Sequence, residues 1–209
     1  MQRLELFWPL AKPYRANYNN FGDNIEFYKN LNIGLEKGHN GIDILALNPS
    51  STAFLLDTFP VYAAHDGIVT YTGIDSKEGY GIIIRTKEKF LDWHGAEQYW
   101  KTIYWHLKPP ALVTVGQTIM VGDLLGTGDT TGLSKGPHLH FGLKPIAQGE
   151  NDWTWTNVNQ MNGYFGAVDP LPYMSPLTAY QLRGTLQKMA EMLQSISNVL
   201  AAFLKGRRA

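Results

Sequence analysis

Between residues 39 and 145 the chain alternates short β-branched runs with turn signals, leaving little room for a helical crossover. Val61-Tyr62-Ala63-Ala64 leads through His65-Asp66-Gly67 into Ile68-Val69-Thr70-Tyr71-Thr72. Gly81 to Thr86 and Thr102 to Leu107 are further runs of the same kind. Strand, turn, strand at this spacing predicts an antiparallel sheet, since parallel neighbours need a long connection. Twenty-one glycines and eleven prolines in 209 residues also favour a β-rich fold over a helical bundle. The expectation is a mainly β protein: one compact antiparallel sheet domain with a surface groove, plus a separate C-terminal helix.

The two ends have a different texture. Residues 1–38 are aromatic and turn-rich and read as an irregular lead-in with one short helix. Residues 87–101 and 146–173 read as excursions rich in Trp and Tyr; Trp93, Trp100, Trp153 and Trp155 are candidate groove walls or ordinary packing. From residue 174 to 209 the pattern becomes helical. Ala179, Leu182, Leu186, Met189, Leu193, Ile196, Leu200 and Phe203 alternate spacings of three and four, a heptad pattern that wants a helical partner. Ser175 is the expected N-cap, with Pro176 at the first helical position and Gly206 as the stop. Residues 176–205 are therefore a candidate surface for self-association or for docking on a larger assembly. The expected division is 1–38, 39–173 and 174–209.

Composition excludes several chemistries. With no cysteine there is no Cys nucleophile, no Cys-ligated metal and no disulfide scaffold. Formal net charge is zero, so nothing marks a nucleic-acid surface. No run of about 18 apolar residues is present to span a bilayer. The first fourteen residues do not read as a signal peptide. Gly126-Thr127-Gly128-Asp129-Thr130-Thr131-Gly132 fails the spacing of a nucleotide loop and reads as a turn.

The chemistry rests on histidines and one carboxylate. His138 and His140 lie two apart in a β-type run, so they share one face, while Leu139, Phe141 and Leu143 face the core. His39-Asn40-Gly41-Ile42-Asp43 offers an imidazole and a carboxylate, with Gly41 letting the chain bend between them. His106 ends the run Tyr104-Trp105-His106-Leu107. Two imidazoles and a carboxylate make a three-ligand set that leaves zinc a position for water. Four of the six histidines fall in these three places; His65 and His94 read as exposed loop residues.

These segments resemble the lysostaphin-type zinc endopeptidases (family M23, LytM-like), which cleave peptidoglycan. His39-Asn40-Gly41-Ile42-Asp43 matches their His-x-Gly-x-Asp motif, and His138-Leu139-His140 matches their His-x-His motif. Val61 to Val69, Tyr104 to Leu107, Val115 to Gly132 and Val168-Asp169-Pro170 follow the family's order. The resemblance implies one zinc ion held by His39, Asp43 and His140, with His138 and His106 as catalytic residues. His138 would be the general base beside the metal water, and His106 would stabilise the tetrahedral intermediate. It also implies a peptidoglycan stem peptide or cross-bridge as substrate and action at the bacterial cell wall. Together with the N-terminus, this points to a secreted, phage-released (endolysin) or virion-borne protein. Some relatives use a tyrosine before the first ligand; Tyr28 is the nearest here, at an unusual distance. The competing reading is a non-catalytic relative that binds peptidoglycan or serves in an assembly.

Overall fold

The chain forms its first strand, β1, at Leu6–Trp8, followed by β2 at Tyr14–Asn19 and a short helix α1 at Ile25–Asn30. The computed structural model describes residues 2–32, 34–148 and 156–206. Next come β3 (Ile42–Asn48), β4 (Ser51–Leu55), β5 (Phe59–Tyr62), β6 (Gly67–Asp75) and β7 (Gly79–Arg85). They are followed by β8 (Phe90–Leu91), β9 (Glu97–Lys108), β10 (Thr118–Ile119), β11 (Leu124–Gly128) and β12 (Leu139–Ala147). The chain closes with β13 (Thr156–Asn157), β14 (Met174–Thr178) and α2 (Ala179–Gly206). The sheet runs in the order β10-β6-β7-β9-β12-β3-β2, with antiparallel neighbours throughout. β11 folds back to pair with both β5 and β9, which curls the sheet over its core. The mainly β, antiparallel expectation holds, with one long C-terminal helix.

Several local expectations are corrected. The segment read as an irregular lead-in contains two strands as well as its helix. β2 pairs with β3 and so becomes the last strand beside the metal-ligand candidates, while β1 pairs in parallel with β14. Their aromatic, turn-rich sequences hide strands that exist because a neighbour is waiting for them. The 87–101 excursion is partly a hairpin: Phe90 and Leu91 pair with Gln98 and Glu97. Of the two readings of Trp100, ordinary packing holds: it is 1% exposed and lies against the Tyr173 ring at 5.1 Å. Trp153 and Trp155 lie outside the described residues.

The cap of α2 also differs from expectation. Residues 174–178 are strand, so Ser175 and Pro176 lie outside the helix. Thr178 caps instead: its Oγ1 accepts from the Gln181 amide at 3.1 Å, while the Gln181 side-chain oxygen accepts from the Thr178 amide at 3.1 Å. That reciprocal pair is a capping box, a Thr followed three residues later by Gln. Arg183 ties the first turns to the body, donating to the Gly122 carbonyl at 3.0 Å and pairing with Asp123. Further out, Leu186, Met189, Leu193, Ile196 and Leu200 are all exposed. The side chain of Phe203 is outside the described set. No described helix is long and apolar enough to cross a membrane.

The core sets the orientation of everything else. Leu139, Phe141 and Leu143 of β12 are fully buried, beside Tyr104 and Ile82. By the period of two, His140, Gly142 and Lys144 face the opposite side of the sheet. Register places His140 opposite Trp105, Gly142 opposite Ile103 and Lys144 opposite Lys101. Lys144 is buried with its ammonium 4.6 Å from the Phe165 ring centre. Burial, and then the neighbouring Lys101, pulls its pKa down to about 7.

Candidate metal centre

His39 sits on the turn before β3, and Asp43 on β3 itself pairs in register with His140 of β12. Gly41 makes this approach possible. A Cβ there would lie 2.6 Å from the Phe141 carbonyl oxygen and 2.8 Å from the His140 ring. The glycine is required by crowding, not by a bend: Gly41 is not among the residues with positive φ. Three donor atoms then converge. His39 Nε2 lies 2.8 Å from His140 Nδ1 and 3.2 Å from Asp43 Oδ1, and His140 Nδ1 lies 3.3 Å from Asp43 Oδ1. All three residues are buried. Metal–ligand bonds of about 2.0–2.1 Å in a tetrahedral site put donor atoms roughly 3.3 Å apart, so the set fits one small divalent ion.

The Asp43 carboxyl is acidic for a reason. Burial pushes its pKa up, but hydrogen bonds and charge from His140 and His39 outweigh that and hold it well below the usual carboxylate range. The carboxylate form is the one a metal takes.

Tautomers are set by backbone carbonyls. His39 Nδ1 donates to the Asn20 carbonyl at 3.2 Å, which turns the Nε2 lone pair inward. His106 Nδ1 donates to the Thr131 carbonyl at 2.8 Å, and His138 Nδ1 to the Gly136 carbonyl at 2.8 Å. The His106 and His138 rings are 4.5 Å apart, and His138 Nε2 is 3.7 Å from Asp43 Oδ1. Burial, then His138 and His140, lowers the His106 pKa to about 3, so that ring is neutral. His106 also carries a φ of +65°, a left-handed conformation rare for such a residue and held here by its neighbours.

The histidine pair of β12 departs slightly from the sequence pattern. The strand begins at Leu139, so His138 is the last loop residue, yet its ring still reaches the same site. His65 is corrected outright: it is buried, with Nε2 2.9 Å from Thr102 Oγ1 and Nδ1 2.7 Å from the Asp66 carbonyl. It does not line the cavity beside the four clustered rings and is a satisfied core histidine. His94 is exposed.

The site opens on a cavity of about 460 Å³ whose lining includes Asn19, Tyr28, Glu78, Leu133 and Lys135. A larger, more open hollow of about 950 Å³ lies at the root of α2, but it carries none of the four imidazoles. Two site residues were not assigned from sequence. Tyr28 of α1 stacks on the His39 ring at 5.2 Å, and Asn19 of β2 donates to Asp43 Oδ2 at 2.7 Å. Burial, then the Asp43 charge, raises the Tyr28 pKa, so its phenol stays protonated. Asn19 stands in Asn17-Tyr18-Asn19-Asn20, which reads as turn chemistry, so no local signal sets it apart.

The family model "Peptidase family M23" matches residues 37–152, more than half of the chain. The chain belongs to peptidase family M23. The peptidoglycan DD-endopeptidase ShyC of Vibrio cholerae is 32% identical over 108 residues, covering 52% of this chain and 20% of that protein. The DD-carboxypeptidase/endopeptidase Mpg of Neisseria meningitidis is 34% identical over 103 residues, covering 49% of this chain and 19% of that protein. The matched chain thus spans about a fifth of the length of these curated relatives. A zinc-containing peptidase of Vibrio cholerae shares the fold, with a TM-score of 0.52 and 22% identity over 83% of this chain and 41% of that one.

Proposed function

We propose that this M23 domain is a zinc-dependent endopeptidase that hydrolyses peptide bonds in bacterial peptidoglycan stem peptides or cross-bridges. The observation that carries it is the convergence of His39 Nε2, Asp43 Oδ1 and His140 Nδ1 beside an open cavity. Those three residues would hold the ion. When bound, zinc supplies Lewis-acid polarisation and lowers the pKa of a water towards about 7.

The surrounding residues handle protons. His138, with Nδ1 committed to a carbonyl, offers the Nε2 lone pair 3.7 Å from Asp43 Oδ1 and acts as general base. The proton it takes from the attacking water passes to the leaving amine. His106 has the same tautomer, so as a neutral ring it accepts rather than donates at Nε2. The stabilising role expected of it therefore begins only after it gains a proton. Tyr28 is a donor from the start, because burial and Asp43 keep its proton on. We assign it to support the developing oxyanion. Residues 39–173 are read as the catalytic unit and 174–209 as an appendage for self-association or docking. ShyC and Mpg, both named for endopeptidase activity, support a cell-wall location; secretion, release by a phage and carriage on a virion are all compatible with it.

The test is mass spectrometry of fragments released from defined cell walls by the zinc-loaded protein. New peptide termini should appear with the parent chain and vanish with a chelator. An unchanged wall at full zinc occupancy would overturn the enzymatic reading in favour of a binding module.

A further inference from the structure

Asp43 has two carboxylate oxygens, and the site treats them differently. Oδ1 faces His39, His140 and His138 at 3.2, 3.3 and 3.7 Å. Oδ2 accepts the Asn19 side-chain amide at 2.7 Å, in a contact buried from solvent. A side-chain amide can turn either way unless its oxygen is also committed. Here it is: Asn24 Nδ2 donates to Asn19 Oδ1 at 2.7 Å, which leaves the Asn19 nitrogen for Asp43. The same nitrogen lies 3.2 Å from the Tyr28 hydroxyl.

Asn24 is unusual in its own right. It stands at the N-cap of α1, where an Asn ordinarily caps the helix with its side chain, yet it makes no capping bond. Its φ of +55° is left-handed, and its amide reaches back to Asn19 instead. Asn24 thus forgoes its local cap to orient the amide that holds the carboxylate.

We propose that Asn19 is a positioning residue for the metal centre. Held in orientation by Asn24, it pins Asp43 Oδ2 and leaves Oδ1 as the single oxygen offered to the ion. The inference rests on the metal-binding part of the reading above. Without Asn19 the carboxylate is free to rotate, and the oxygen meant for the amide competes for the room left to water and substrate. Hydrogen bonds behind a ligand are worth roughly 10- to 100-fold in metal affinity.

The experiment measures Zn²⁺ affinity of the full chain by competition with a chromophoric chelator, for the parent, Asn19→Ala and Asn24→Ala. Visible absorption of the Co²⁺-loaded forms and melting of the metal-free forms are recorded alongside. Asn19→Ala should weaken Zn²⁺ binding roughly 10- to 100-fold. It should also shift the Co²⁺ bands and lower kcat more than it raises KM, with a loss of metal-free stability smaller than the loss of Zn²⁺-binding free energy. Asn24→Ala, at an exposed position, should move affinity and spectrum the same way by less, and it carries the test if the buried variant does not fold. Parent-like Zn²⁺ affinity and Co²⁺ bands in both variants would overturn the proposal. So would a loss of affinity matched by equal loss of metal-free stability. A parent chain that binds no Zn²⁺ sinks this inference together with the peptidase reading. A parent that binds Zn²⁺ without cutting walls sinks only the latter.

Discussion

In the β body, the polar groups of the candidate metal site and buried His65 are taken out of water and given partners. His39, His106 and His138 bond backbone carbonyls, Asp43 is held on both oxygens, and buried His65 bonds Thr102 and Asp66. Along α2 the reverse holds. Leucine, isoleucine, valine and methionine side chains stand in solvent, from Leu186 at 45% exposure to Val199 at 66%. A buried polar group without a partner is costly, so these side chains are held in place from several directions. An apolar stripe in water is tolerated until a second surface covers it. One region is finished by its own chain and the other is not.

The largest way to sharpen that contrast is at the metal. His140→Ala or Asp43→Ala should abolish stoichiometric zinc and bring cleavage to background. His138→Ala should keep the ion and lower turnover about 10²- to 10⁴-fold. Metal analysis beside a wall-cleavage assay separates the two outcomes, and full activity in His138→Ala would remove it from the mechanism.

Packing gives the next effect. Phe141→Ala empties a fully buried position between core strands and should cost about 3–5 kcal/mol by urea denaturation. Leu193→Ala, 65% exposed, should change the stability of the dilute chain by no more than about 0.5 kcal/mol. A large cost at Leu193 would mean that α2 is already covered in solution, which a mass measurement with and without residues 176–209 would then reveal.

The smallest effect tests charge burial. The Lys144 pKa falls from an ordinary 10.5 to about 7, with burial the main cause. Between those values the unfolded chain binds the proton and the folded one does not, so this group's contribution rises with pH from 7 to 10.5. Its slope is at most about 1.4 kcal/mol per pH unit. Urea midpoints at pH 7 and pH 9 should therefore increase more in the parent than in Lys144→Met, in the same metal state. Parallel shifts would place the ammonium in water.

Much of this was legible along the chain because it is local and periodic. The strand-and-turn alternation from Val61 to Leu107 announces an antiparallel sheet, and two-residue spacing puts His138 and His140 on one side of it. The three-four spacing from Leu182 to Leu200 announces α2. The motifs around His39 and His140 named the candidate ligands. What was missed depends on distant partners. β1 and β2 read as irregular because their strand character comes from β14 and β3. Thr178 displaced Ser175 as the cap because β14 continues to residue 178. His65 looked like a loop residue because Thr102, thirty-seven positions away, is what buries and satisfies it.

The sequence by itself determined the central antiparallel strands, the C-terminal helix and which side chains have the chemistry to hold a metal. These follow from backbone periodicity and from the donor atoms that histidine and aspartate carry. Only the tertiary structure decided which oxygen of Asp43 is offered and which nitrogen of each imidazole points inward. The same is true of the recruitment of Asn19, Asn24 and Tyr28 to the site. Those choices are made by hydrogen bonds between segments remote in the chain, and such bonds exist only once strands β2, β3 and β12 lie side by side.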